Sequence, residues 1–192
     1  MTAPGYGLQT AWVNGQRVLM DGTSGSAPIV SGAIAAVMSQ YPGLSAPQAW
    51  QVIHDRLNDA GPGGADPDYG NGVLNLAWPM AWNDPTRVDP AISSHYFNPA
   101  TGQMEVVVQN RSGVGVSGLK LDVTSAGNTS GYDIPWLPPG GIYIVRSPVD
   151  QNALVENGRI EFRTELKDPS GLDDAVPANN SKSSSLSRKP PQ

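Results

Sequence analysis

Met20-Asp21-Gly22-Thr23-Ser24-Gly25-Ser26-Ala27-Pro28 is the stretch on which the reading of this chain turns. Ahead of it, Val18-Leu19-Met20 reads as a short buried strand. After it, to about Gln40, come Ile29, Val30, Ile34, Val37 and Met38 set among Ala, Ser and Gly. A strand therefore passes through a glycine-rich turn into a helix. Pro28 is expected in the first helical turn, where its missing N–H costs nothing. The helix carries hardly a charged residue on any face, so it is expected to be covered on most sides. Ser24 presents a hydroxyl at the helix N-terminus, beside unpaired N–H groups that favour developing negative charge. That pattern suits acyl transfer; the plainer alternative is that Thr23 or Ser24 only caps the helix.

Beyond this helix Gly43 breaks the chain, and Ser45-Ala46-Pro47-Gln48 forms a capping box with Ser45 as N-cap and Gln48 three residues on. Ala49, Val52, Ile53 and Leu57 then make one apolar stripe, with His54, Asp55 and Arg56 largely off it, which predicts a superficial amphipathic helix. Asp59 to Asn71 is a polar, glycine-rich connection leading into Gly72-Val73-Leu74-Asn75. Composition changes between Asn83 and Pro90, near residue 88. From there short alternating segments are separated by Gly, Pro, Asn and Ser, the pattern of a β-sandwich. Strands are expected near 103–109, 117–124, 142–146, 160–166 and 181–186. Leu119, Leu121 and Val123 alternate cleanly, as do Ile160, Phe162 and Thr164, so one face of each strand is expected to be buried. The expected organisation is a first domain over residues 1–82, a linker over 83–92, a sandwich over 93–187 and a disordered tail over 188–192.

Composition removes several classes of function. Lys plus Arg number 12 against 17 Asp plus Glu, a net charge of −5, and no basic stripe is present, so a nucleic-acid partner is not expected. Cysteine is absent, which excludes disulfides, zinc–thiolate sites and thiol nucleophiles. The longest mainly apolar run, Ala27 to Met38, is interrupted by Ser31-Gly32 and falls short of the roughly 20 residues a membrane helix needs, so no membrane partner is expected. Met1-Thr2-Ala3-Pro4-Gly5 has neither a basic nor an apolar leader region. So abrupt a start fits a fragment of a longer reading frame.

Four ordered blocks resemble the C-terminal end of the catalytic domain of subtilisin-like serine proteases, the subtilases. Ala3-Pro4-Gly5 is similar to the segment that precedes the nucleophile in that family. Gly22-Thr23-Ser24-Gly25-Ser26-Ala27-Pro28, with Val30, Gly32 and Ala33, is similar to its nucleophile motif and buried helix. Tyr41-Pro42-Gly43-Leu44-Ser45 resembles the turn before the next helix, and Tyr69-Gly70-Asn71-Gly72-Val73-Leu74-Asn75 resembles the closing block. Ile29 departs from the His found there in many members. The resemblance implies an incomplete α/β three-layer domain followed by the all-β sandwich. It also implies a serine endopeptidase with a polypeptide substrate and no cofactor. Ser24 stands at the nucleophile position with its N–H in the oxyanion hole, and Gly22, Thr23 and Pro28 support the motif. In the family the Asp, the His and an oxyanion Asn all precede the Ser, so here they are expected from an upstream protease segment, without which the chain is expected to be inactive. Related enzymes are mostly exported.

The remaining candidates are weaker. His54 and His95 are the two histidines, and both are expected to be ordinary surface residues rather than a substitute base. Asp168, Asp173 and Asp174 suggest calcium, but without regular ligand spacing they are expected to be solvated loop charge, and no metal is expected. Tyr132 and Trp136 suggest a glycan or peptide platform, though a place in the sandwich core or at its edge is the expected one. Val106-Val107-Val108-Gln109-Asn110 and Leu137-Pro138-Pro139-Gly140 give the second half a weaker resemblance to adhesion-related and fibronectin-like modules of secreted hydrolases. The competing reading is therefore a non-catalytic binding or structural protein in which the sandwich contacts a protein or glycan surface.

Overall fold

A computed structural model of the chain describes residues 1–168, 171 and 173–188; of the expected tail, residues 189–192 lie outside the described residues. The chain divides into two units, Met1–Asn58 with Pro67–Trp82, and Asp59–Asp66 with the residues from Asn83 onward.

In the first unit, strands β1 (Leu8–Ala11) and β2 (Arg17–Met20) pair antiparallel, with Leu8 opposite Met20 and Ala11 opposite Arg17. The turn between them needs left-handed backbone, met by Asn14 at φ 57° and Gly15 at φ 73°. The expectation of a buried strand at Val18–Met20 is corrected here. β2 alternates between exposed and half-buried residues, and Leu19 is 71% exposed, because a two-stranded ribbon has only one covered face. A consecutive apolar run does not by itself distinguish these cases.

Helix α1 spans Thr23–Gln40 and so begins earlier than expected. Pro28 is its sixth residue rather than a first-turn residue, and having no N–H it leaves the Ser24 carbonyl without its i→i+4 hydrogen bond. The expectation that α1 is covered on most sides is also corrected: only Gly25, Ala33 and Val37, at multiples of four, are buried. Helix α2 (Ala46–His54) carries the capping box, in which the Gln48 Oε1 accepts from the Ser45 N–H at 2.8 Å and from its Oγ at 2.7 Å. Its stripe of Ala49, Val52 and Ile53 packs with Ala33, Val37 and Leu57 into a small core. Gly72, at φ 126°, closes this unit where no side chain fits, since a Cβ would stand 2.5 Å from the Asn58 carbonyl oxygen. Apart from one bridge between Thr2 and Val73, the described residues of this unit form no parallel pairing, so they do not build the parallel layer of an α/β three-layer domain by themselves.

The second unit is a two-sheet sandwich. One sheet has the order β3 (Pro90–Asn98), β4 (Gln103–Asn110), β7 (Ile142–Pro148); the other has the order β6 (Asn128–Asp133), β5 (Lys120–Ser125), β8 (Arg159–Lys167), β9 (Ser181–Ser187). These strands pair antiparallel throughout, and one isolated parallel bridge joins Val88 to Asp174. Alternating residues from both sheets, among them Val106, Val108, Leu121, Val123, Val145, Ile160 and Phe162, meet in one core. β3 starts on Pro90, inside the segment read as linker; its pyrrolidine suits the beginning of an edge strand. Helix α3 (Gln151–Asn157) is started by the Asp150 side chain, which accepts from the Ala153 N–H at 3.0 Å, and stopped by Gly158 at φ 69°. The segment Asp59–Asp66 lies over β4 and β7. Gly63 sits so close to Ile144 and Val107 that a Cβ there would be 2.5 Å from the Ile144 Cδ1, and the Gly61 carbonyl accepts from the Ser94 hydroxyl at 2.7 Å. Val107, on the outer face of β4, is thereby buried as completely as its core-facing neighbours.

Candidate active site

The strand-to-helix turn is built as an exposed corner. Gly22 is the N-cap of α1 at φ 130°, a conformation open to glycine and costly to other residues, and Thr23 and Ser24 begin the helix on its solvent side. No side chain caps this terminus, so the plain alternative, a capping hydroxyl from Thr23 or Ser24, is not what the hydroxyls do. Ser24 is exposed, and among the described residues its hydroxyl is held by no hydrogen bond to a histidine or a carboxylate. It stands in the first turn, where N–H groups lack intrahelical partners and anionic charge is favoured.

The turn is held from behind. The Gly22 N–H donates to the Gly5 carbonyl at 2.6 Å, the Asp21 Oδ1 accepts from the Gly7 N–H at 2.6 Å, and the Ser26 hydroxyl donates to the Pro4 carbonyl at 2.8 Å. Gly25 lies against Leu8 and Met20 of the hairpin, where a Cβ would come within 2.5 Å of the Leu8 Cδ1. A groove of about 170 Å³ runs between the hairpin and α1, lined by Leu8, Thr10, Met20, Gly25, Pro28 and Ile29. Asp21 and Ser26 were not singled out in the sequence, because a short Asp before a turn and a Ser among alanines have no signature of their own.

Each histidine is engaged within its own unit. His54, expected to face solvent, is half-buried at the end of α2, with Nε2 3.0 Å from the Asn71 side-chain nitrogen and its ring tilted against Trp50. His95, also expected at the surface, is instead set inside the sandwich: Nδ1 lies 2.7 Å from the Ser184 Oγ and Nε2 2.7 Å from the Thr164 Oγ1. Burial, aided by the nearby Lys182 ammonium, lowers its pKa to about 4, so the ring is neutral near pH 7. The Ser184–His95 contact has the form of a nucleophile–base pair without its setting. Ser184 stands opposite Phe162 in the β8–β9 ladder and so shares its core-facing side, and among the described residues no carboxylate hydrogen-bonds to the ring.

Among the described residues no group of three or more His, Cys, Asp or Glu is arranged to hold a metal. Of the three loop aspartates, Asp174 accepts from the Val176 N–H at 2.8 Å and from the Asn180 side chain at 2.5 Å, the work of a turn residue. Trp136, expected in the core or at an edge, is 62% exposed and lies flat enough on Gly115 that a Cβ there would touch the indole at 2.6 Å, while Tyr132 packs partly against the core. No helix among the described residues is long and apolar enough to cross a membrane.

Among curated proteins none matches the chain. Of solved structures, the CARDB domain of the PF1109 protein from Pyrococcus furiosus, determined in complex with di-metal ions, is 19% identical over 44% of this chain and 71% of its own, with a TM-score of 0.36. A domain of a putative cell surface protein from Methanosarcina acetivorans is 12% identical over 54% of this chain and 94% of its own, with a TM-score of 0.41. Residues 1–72, which contain the Ser24 turn, both helices of the first unit and the glycine at its close, match the Subtilase family, Peptidase_S8.

Proposed function

We propose that this chain is the C-terminal part of a subtilisin-like serine endopeptidase joined to a β-sandwich accessory domain, with Ser24 as the nucleophile. The observation that carries this reading is the exposed, uncapped Ser24 in the first turn of α1, immediately after Gly22 at φ 130°, inside the segment that matches the Subtilase family. In this mechanism the Ser24 hydroxyl attacks the scissile carbonyl of a polypeptide, and its own N–H, at the helix terminus, donates to the developing oxyanion. A histidine takes the serine proton and passes it to the leaving amine, an aspartate orients that histidine, and an asparagine amide completes the oxyanion hole. The acyl-enzyme is then released by water.

Nothing in the first unit performs those three other roles. His54 is engaged with Asn71, and a serine without a base is a weak nucleophile at neutral pH. The reading therefore assigns the Asp, His and Asn to polypeptide outside these 192 residues, and the exported setting of the parent family goes with it. The exposed Ala27, Pro28, Gly32 and Ala35 of α1 support the same assignment, because an apolar helix normally runs between layers.

A fluorophosphonate probe tests this directly. With sequence encoded upstream of Met1 co-expressed, the probe is expected to modify the Ser24 peptide, and Ser24→Ala is expected to abolish the label. The chain alone is expected to label at background. Absence of Ser24 labelling in the co-expressed protein overturns the reading.

A further inference from the structure

The reactive turn is flanked by glycines at 22 and 25, so little in its own backbone stiffens it. What holds it is a second segment, residues 3–7, bound before, at and after the turn. Gly7 is tied through Asp21, Gly5 through the Gly22 N–H, and Pro4 through Ser26. The behaviour of Ser26 is the informative part. A serine inside a helix ordinarily returns its hydroxyl to the carbonyl four residues back, as Ser31 does to Ala27 at 3.2 Å. Ser26 instead donates outward, to the Pro4 carbonyl at 2.8 Å with the Ala3 carbonyl at 3.2 Å. Gly5 makes this approach possible: a Cβ there would stand 2.8 Å from the Ser26 Oγ and 3.3 Å from the Gly22 carbonyl oxygen.

We propose that Ser26 is a positioning residue for Ser24, its hydroxyl latching residues 3–7 against the turn and so setting where the Ser24 hydroxyl and N–H lie. The proposal rests on Ser24 being the nucleophile, and adds to that reading a residue that never touches substrate. With the latch intact, the Gly22 N–H stays bonded to Gly5 and the first turn of α1 keeps one orientation. With the hydroxyl removed, the two glycines let the turn rotate. Reaction at Ser24 is sensitive to this, since a misplacement of about 1 Å costs up to about a hundredfold in rate.

Two readouts on the full chain test it, both on Ser26→Ala with Ser26→Thr as the rescue. In amide hydrogen exchange, S26A is expected to speed exchange at Gly22 about tenfold without changing the α2 amides, and S26T to restore protection. In the co-expressed protein, S26A is expected to slow fluorophosphonate labelling of Ser24 about tenfold, with the probe concentration for half-maximal rate unchanged. A purely structural serine would not move the maximal labelling rate at constant probe affinity. Wild-type exchange at Gly22 in S26A, or wild-type labelling by S26A, overturns the proposal while leaving Ser24 as nucleophile. A wild-type chain that never labels removes the nucleophile and the proposal together. Should S26A not fold, Gly5→Ala, which displaces the hydroxyl with the serine retained, carries the same expectations.

Discussion

Among the described residues the core of the sandwich holds sixteen buried apolar side chains, whereas the core of the first unit holds six around two helices, even though α1 is the more continuously apolar sequence. The difference is one of complement rather than of hydrophobicity. β8 alternates cleanly along its whole length, and the core-facing side chains of the two sheets, all from the same polypeptide, meet one another. α1 is apolar on most sides, yet this polypeptide buries it fully only at Gly25, Ala33 and Val37 and leaves Ile29, Val30, Ile34 and Met38 half-buried. Full burial of a large aliphatic side chain contributes about 1.5–3 kcal/mol, against a total of about 5–15 kcal/mol for a whole domain, so the half-buried side chains of α1 contribute less than those of the sandwich core.

The sharpest way to break this contrast is to separate the units. Residues 59–188 alone are expected to unfold in one cooperative calorimetric transition, while residues 1–82 alone are expected to show none and to bind a hydrophobic dye. A cooperative transition from residues 1–82 would remove the contrast. Within the sandwich, Phe162→Ala is expected to cost about 3–5 kcal/mol in chemical denaturation, because Phe162 is fully buried at the centre of the core.

His95 gives the sandwich a pH dependence of its own. Its folded pKa of about 4 lies below the ordinary 6.5, so protonation favours the unfolded chain. The stability is fully present above pH 6.5 and is lost as the pH falls through 6.5 towards 4, by about 3 kcal/mol. His95→Gln is expected to flatten that slope in denaturation curves taken at several pH values. The smallest effect concerns α3: Asp150→Ala is expected to cost about 1 kcal/mol by removing the bond to the Ala153 N–H, readable as a lowered denaturation midpoint.

The same contrast governs what could be read from the residues. Strands with clean alternation, such as Leu119-Leu121-Val123 and Ile160-Phe162-Thr164, were legible because their pattern and their packing are the same fact. β3 and β6 were not. Ser93-Ser94-His95 and Asn128-Thr129-Ser130 are polar, and their pairing is dictated by β4 and β5 beside them. α3 has a start signal in Asp150 and a stop signal in Gly158, but its seven residues are too short to display a period. The place of Pro28 is not legible in the sequence, because a proline suits a helix start, whereas α1 begins five residues earlier. At the candidate site, the exposed corner at Gly22-Thr23-Ser24 follows from glycine at a left-handed position and a helix starting next to it. The latch through Asp21 and Ser26 depends on residues 3–7 folding back, which no local pattern encodes.

The central claim is that Ser24 cleaves peptide bonds when its missing partners are supplied. Hydrolysis of an unfolded protein such as casein, by the chain co-expressed with its upstream sequence, tests it most directly. The account predicts cleavage that falls by at least about a thousandfold in Ser24→Ala. Equal cleavage by Ser24→Ala, or no cleavage by the wild-type protein, would contradict it.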